Sequence, residues 1–131
     1  MRKNIIPNNA KLAFNGVIFE VWQWEQKMFD GTYETFERIR RSGAVQILPV
    51  IEDKILVQIQ KQPDSPAPYH SFVSGTCEEN EEPLFTAKRE LEEETGLISD
   101  KWILWKEINI ISKIDWPVYI FIAKNCYFKK N

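Results

Sequence analysis

Basic residues are in no excess in this chain: 17 lysines and arginines face 19 aspartates and glutamates, for a formal net charge of −2. Holding nucleic acid takes clustered Lys and Arg against the phosphates, so nucleic acid is not an expected partner. Cysteine is scarce too. Cys77 and Cys126 are the two present, with no CxxC and no dense spacing, which gives no disulfide framework and suits a reducing compartment. No apolar run approaches the roughly 18 residues of a membrane-spanning helix. The positively charged N-terminus meets Pro7, Asn8 and Asn9 before a stretch of signal-peptide length can form. The expectation is a cytoplasmic protein, neither secreted nor embedded in a membrane. Nucleophiles are poorly placed: no serine has nucleophile-elbow spacing, and no base partner for Cys77 is fixed by the sequence. His70, the single histidine, reads as a loop residue.

What is present is apolar enough for one folded domain, since 44% of 131 residues are hydrophobic and 13% aromatic. Residues 16–24 and 32–39 carry β-type patterns around the turn signal Asp30-Gly31, which predicts an N-terminal β-hairpin. Residues 43–51 and 54–60 read as central strands around Glu52-Asp53. Three prolines within 61–69 force a loop, because proline lacks the N–H that a ladder or helix interior needs. A short strand, 71–74, leads to Gly75, after which the period changes. Over 83–95, Leu84, Ala87 and Leu91 recur at helical spacing, with Pro83 suited to the first turn and Gly96 to the position past the end. Residues 102–111 and 118–128 read as two more strands around a turn at 113–117. The class is α/β with a mixed sheet and one clear helix.

Acidic residues crowd into one stretch: Glu78, Glu79, Glu81, Glu82, Glu90, Glu92, Glu93 and Glu94. Such crowding repels itself unless something positive sits within it. At 100° per residue, Glu90, Glu93 and Glu94 fall on one arc of the helix. Carboxylate oxygens are the ligands of hard cations such as Mg²⁺ and Mn²⁺, which commonly bind a few carboxylates together with substrate phosphate oxygens. Arg89, four residues before Glu93, is placed to hold that carboxylate. The plainer reading of the helix alone is a solvated face rich in Glu through helix propensity.

The surrounding residues decide between them. Gly75, Glu81, Arg89, Glu90, Leu91, Glu93, Glu94, Gly96 and Leu97 resemble the Nudix box: a glycine, five residues, Glu, seven residues, then Arg-Glu-aliphatic-any-Glu-Glu-any-Gly-aliphatic. The resemblance implies a Nudix-type α/β/α sandwich with one catalytic helix. It also implies hydrolysis of the diphosphate bond of a nucleoside diphosphate derivative, such as ADP-ribose or a nucleotide sugar, by water activated with Mg²⁺ or Mn²⁺. By the same resemblance, Glu90 and Glu94, then Glu93, are metal ligands, joined by the backbone carbonyl of Ser74. Arg89 orients them, Glu81 supports the loop or a water on the metal, and Gly75 and Gly96 are structural.

Residues 16–75 are similar to the ADP-ribose pyrophosphatase branch of that family, whose members are commonly dimers exchanging N-terminal strands. That implies an N-terminal extension, 1–42, for dimerisation and substrate binding, followed by a hydrolase domain, 43–131, in a homodimer with a small-molecule substrate. Lys61 stands where that branch carries an arginine, and Ser71-Phe72-Val73-Ser74-Gly75 replaces its usual entry to the box. Substrate contacts are expected from Lys61, Arg38, Trp22, Trp24 and Phe29; Arg40 and Arg41 read as solvated charges at a strand end. Nudix folds close with a further helix, whereas this sequence ends at Asn131 with strand pattern. A minimal fold, a fragment, or a covering partner subunit would each account for that. The rival readings are a nucleoside triphosphate pyrophosphohydrolase, which would not need the hairpin, and a non-catalytic nucleotide-binding Nudix module.

Overall fold

In the computed structural model, which describes residues 5–130, branched and aromatic residues place strands along most of the chain. In order they are β1 (Lys11–Asn15), β2 (Glu20–Lys27), β3 (Tyr33–Arg40), β4 (Ala44–Ile51), β5 (Lys54–Ile55), β6 (Gln58–Gln60), β7 (Tyr69–Ser71) and β8 (Val73–Thr76). Helix α1 (Pro83–Thr95) follows, then β9 (Leu97–Ile98), β10 (Lys101–Asn109), β11 (Ile114–Asp115), β12 (Pro117–Lys124) and β13 (Tyr127–Phe128). The chain divides into two compact units, one reaching to Ser42 and including Asn109–Pro117, the other holding Gly43–Ile108 and the residues from Val118 onward.

The first unit is a four-stranded sheet in the order β1-β2-β3-β11. Its hairpin runs from Lys27 opposite Tyr33 to Glu20 opposite Arg40. Asp30 Oδ1 closes the turn by accepting from the Thr32 backbone N–H at 3.0 Å and the Thr32 hydroxyl at 2.6 Å. Gly31 supplies the positive φ of 88° that the turn requires. Two features depart from the sequence reading. The strand read over 16–24 begins at Glu20, and a separate strand, β1, precedes it. The turn read at 113–117 contains β11, which joins β3 in parallel through Ile114 and Asp115. Asp115, only 2% exposed, accepts from Arg40 Nε at 2.9 Å. A long-range pairing of this kind leaves no local periodicity to read.

In the second unit the sheet order is β10-β12-β4-β5, with β8 also paired to β4. β12 runs parallel to β4, and β5 and β8 run antiparallel to it, so the sheet is mixed. The continuous strand read over 54–60 is broken into β5 and β6. Leu56 packs against the core, and its N–H makes the last bond of the β4–β5 register, to the Pro49 carbonyl at 3.0 Å, where proline has no N–H to return. β6 pairs instead with β7. The residues read as one strand over 118–128 form β12 and, across the positive φ of Asn125, β13, which pairs with β9.

Helix α1 starts at Pro83, where a missing N–H costs nothing, and ends at Gly96 with φ 76°. It packs on β8, β4 and β9. The core holds Val45, Ile47, Val73, Ala87, Leu91, Leu97 and Phe121, all buried. Leu84, read as part of the inward stripe, is 38% exposed, and the small, fully buried Thr86 lies inside in its place. Of the helical layers the resemblance implies, the described residues hold the one formed by α1.

Candidate active site

Strand β8 delivers Ser74 and Gly75 opposite Gln46 and Val45 of β4, and the loop after it turns through Asn80 at φ 62° into α1. The loop is tied down by Glu81. Its carboxylate, 8% exposed, accepts from Arg89 Nη2 at 2.9 Å and Arg89 Nε at 3.0 Å, from the Thr86 hydroxyl at 2.6 Å, and from the Glu78 backbone N–H at 3.1 Å. Hydrogen bonds from Arg89, then from Thr86 and Glu78, hold the Glu81 carboxyl down at about 2, and Glu81 in turn raises the Arg89 guanidinium above its ordinary value. Glu81 and Arg89 are therefore charged at any physiological pH.

The remaining guanidine nitrogen of Arg89 serves the helix. Nη1 donates to Glu90 Oε1 at 3.0 Å and to Glu93 Oε2 at 3.3 Å. Sequence spacing suggested Glu93 as the partner of Arg89. The two-pronged contact with Glu81 is shorter and more enclosed, and it was hidden because the path of the loop cannot be read from spacing. Glu90 lies flat on Gly75: a Cβ at position 75 would sit 2.3 Å from Glu90 Cδ and 2.6 Å from its Oε1. Only glycine leaves that space.

Glu94, one helical turn beyond Glu90 and exposed on the helix, lies near the Gln58 side chain and the Ser74 backbone. Partial desolvation first, and the negative charge of Glu90 next, raise its carboxyl above its ordinary value. Glu90 and Glu94 thus both lie beside the Ser74-Gly75 segment of β8. Among the described residues no three His, Cys, Asp or Glu side chains converge on one point. Glu93, 58% exposed, is held at the surface by Arg89. Glu90, Glu94 and the Ser74 carbonyl offer hard oxygens only, a set that fits a cation completed by water and by substrate phosphates rather than a closed protein cage.

The expected substrate residues are divided between the two units. Lys61 is exposed at the start of the proline loop in the second unit. In the first unit, Arg38 Nη1 donates to the Ile5 carbonyl at 2.6 Å and its guanidinium lies 5.7 Å from the Trp24 ring centre. Trp24, 8% exposed, also packs edge-on against Phe36. Trp22 donates to Glu20 at 3.1 Å beneath Arg40, and Phe29 is fully exposed at the hairpin tip. Sequence reasoning passed over Gln58 and Thr86, which nothing in their local pattern marks. It also took Arg41 for a solvated charge, whereas Arg41 stacks 4.3 Å from the Trp116 ring and 5.4 Å from Phe19 beside a cleft lined by Gly16, Ile18 and Glu20.

A strand carrying Gly75, a loop and a helix presenting an Arg-organised set of carboxylates make up a site of the Nudix kind. The NUDIX domain family profile matches residues 40–125, and the chain belongs to that family. It is 32% identical over 89 residues to an "ADP-ribose pyrophosphatase" of Bacillus subtilis (strain 168), an alignment covering 67% of this chain and 48% of the relative. The chain thus spans about half the length of that relative. Its fold is similar to a solved "ADP compounds hydrolase", with a TM-score of 0.76 and 20% identity over 98% of this chain and 74% of the other.

Proposed function

We propose that the protein is a divalent-metal-dependent hydrolase that cleaves the diphosphate bond of a nucleoside diphosphate derivative, with ADP-ribose the leading substrate and nucleotide sugars next. The observation that carries this is the fit of Glu90 onto Gly75, with Glu94 held beside Ser74. The names borne by the relative and by the structural neighbour support an ADP-containing substrate. Following the ADP-ribose branch, the working form would be a homodimer.

Glu90, Glu94 and the Ser74 carbonyl would hold Mg²⁺ or Mn²⁺, with Glu93, paired to Arg89 at the surface, a further ligand if that pair opens. The cation supplies charge neutralisation for the diphosphate and acidifies water. The chain's own residues do the rest. Arg89 keeps Glu81 and Glu90 in place, so that the site needs little reorganisation as charge builds on the phosphate oxygens. Water oxygen bonds to one phosphorus, the bridging P–O bond breaks, and the two phosphate monoesters leave, with one proton released. In the first unit, Arg40 and Arg41 beside their cleft, with Trp22 and Phe29, are the candidates for holding the rest of the nucleotide, and Lys61 is the candidate in the second.

The test is a panel of ADP-ribose, nucleotide sugars, dinucleoside polyphosphates and nucleoside triphosphates, incubated with Mg²⁺ or Mn²⁺ and assayed for phosphate after phosphatase treatment. Turnover of ADP-ribose or a nucleotide sugar is the expected result. Turnover of triphosphates alone would move the reading to a triphosphate pyrophosphohydrolase. Binding without turnover by a folded protein would make it a nucleotide-binding module.

A further inference from the structure

In the first unit, the turn after β1 and the facing ends of β2 and β3 border a cleft of about 280 Å³, lined by Asn15, Glu20, Arg40, Arg41 and Ser42. Backbone bonds set its walls. The Gly16 N–H closes the turn on the Phe19 carbonyl at 2.8 Å, Glu20 stands opposite Arg40 in the hairpin register, and the Arg41 N–H bonds the Asp115 carbonyl at 3.1 Å. The two arginines differ in what holds them. Arg40 is committed: its Nε donates to Asp115 at 2.9 Å, and its guanidinium lies 5.4 Å from the Trp22 ring centre.

Arg41 is held in place without being neutralised. Its guanidinium lies 4.3 Å from the ring centre of Trp116 and 5.4 Å from that of Phe19. Among the described residues, its side chain makes no hydrogen bond and no ion pair. Ring stacking fixes a guanidinium while leaving its charge and its N–H edge for a ligand. Arg41 Nε and Trp116 Nε1 are both buried without an acceptor, an uncommon state for polar atoms in a folded chain. Glu20, on the same cleft, accepts the Trp22 indole N–H at 3.1 Å and meets no cation among the described residues.

An unneutralised guanidinium and an unneutralised carboxylate on one cleft set two requirements on a ligand. The guanidinium fork matches the oxygens of a phosphoryl group. The carboxylate only accepts, and vicinal hydroxyls are the neutral donors that suit it, as where an acidic side chain takes a ribose diol. A bare anion meets the first requirement alone and is repelled by Glu20. The volume lies just below the roughly 300–1,000 Å³ of drug-sized ligand sites, which suits one phosphorylated sugar rather than a whole dinucleotide. We propose that this cleft binds a sugar phosphate, with the phosphoryl group on Arg41 and sugar hydroxyls on Glu20. The proposal deepens the hydrolytic reading and rests on it for the identity of the ligand, since cleavage of ADP-ribose yields two phosphorylated riboses, ribose 5-phosphate among them.

The probe is ribose 5-phosphate, titrated into metal-free protein in chelator so that the Glu90 and Glu94 carboxylates carry no cation to which phosphate could bind. Binding is read by calorimetry and by ¹⁵N NMR of the Arg41 Nε–H and Trp116 indole N–H signals. Saturable shifts of both signals are expected, with inorganic phosphate binding about 10-fold more weakly or worse. Arg41→Met, which keeps a side chain against Trp116, should weaken ribose 5-phosphate by about 10-fold or more, the order lost with a hydrogen bond to a charged group. If that variant does not fold, Arg41→Lys serves: it keeps the charge, loses the fork, and should also bind more weakly. Glu20→Leu should bring the affinities for ribose 5-phosphate and inorganic phosphate together, a change in preference that a merely structural role would not produce. Absent shifts, affinity unchanged in the Arg41 variant, or equal affinity of the parent for the two ligands would overturn the proposal. Hydrolysis of ADP-ribose by a parent whose Arg41 signal ignores ribose 5-phosphate would sink this inference alone. Saturable binding by a parent that turns over no diphosphate would sink the hydrolytic reading alone.

Discussion

Glu90 occupies the place where any side chain at position 75 would begin, 2.3 Å from the Cβ that glycine lacks. The clash falls on the far end of a flexible side chain, so the fold can absorb it and the site cannot. Gly75→Ala should therefore melt close to the parent yet lose roughly 100-fold in turnover, the order expected when a group at the reacting centre is displaced by about 1 Å. Parallel thermal melts and initial rates check this. An alanine variant with parental turnover would mean that the contact has no catalytic consequence.

Glu94 makes the opposite trade. Partial desolvation and the charge of Glu90 raise its carboxyl, so the folded protein binds this proton more tightly than the unfolded chain does. Its ionised form is then a cost at neutral pH that is relieved as pH falls through the raised value. Metal-free Glu94→Gln should melt above the parent at pH 7, and the gap should close on acidification. Melting curves from pH 7 to 4 in chelator test this; a glutamine variant less stable than the parent at pH 7 would contradict it.

Glu81 shifts the other way. Its carboxyl, ordinarily at 4.5, is held at about 2 by Arg89 first and Thr86 second. The stabilisation it gives is fully present above 4.5 and is lost as pH falls toward 2. The parent should lose stability across that window more steeply than Glu81→Gln, and the glutamine variant should already be weaker at pH 7. Chemical denaturation at stepped pH resolves the two slopes.

Thr86 is fully buried, with its hydroxyl 2.6 Å from Glu81 Oε1. Thr86→Val keeps the volume and removes the donor, so a loss of about 1–2 kcal/mol is expected. Urea unfolding measures it. A valine variant as stable as the parent would show that Arg89 and the Glu78 N–H suffice to hold Glu81.

What could be read in advance follows from how local each signal is. The helix was legible from end to end, because Pro83 and Gly96 punctuate it and Ala87 and Leu91 keep the helical period. The hairpin turn at Asp30-Gly31 was legible for the same reason. The family was legible because its fixed residues lie within one continuous stretch from Gly75 to Leu97. The pairing of β11 with β3, the break at Leu56, and the approach of Gln58 to Glu94 depend on segments distant in the chain. Leu84 and Thr86 show the limit on the helix itself: hydrophobicity marked the leucine as buried, and the need of Glu81 for a hydroxyl put the threonine inside.

The most direct test of the hydrolase account is to incubate ADP-ribose and Mg²⁺ with the parent and with Glu94→Gln, both verified as folded, and to quantify AMP released. The account predicts AMP from the parent and a loss of several orders of magnitude in the variant, since the change removes a group that acts at the reacting centre. Equal AMP release by the two proteins, or release by the parent that survives removal of all divalent metal, would contradict it.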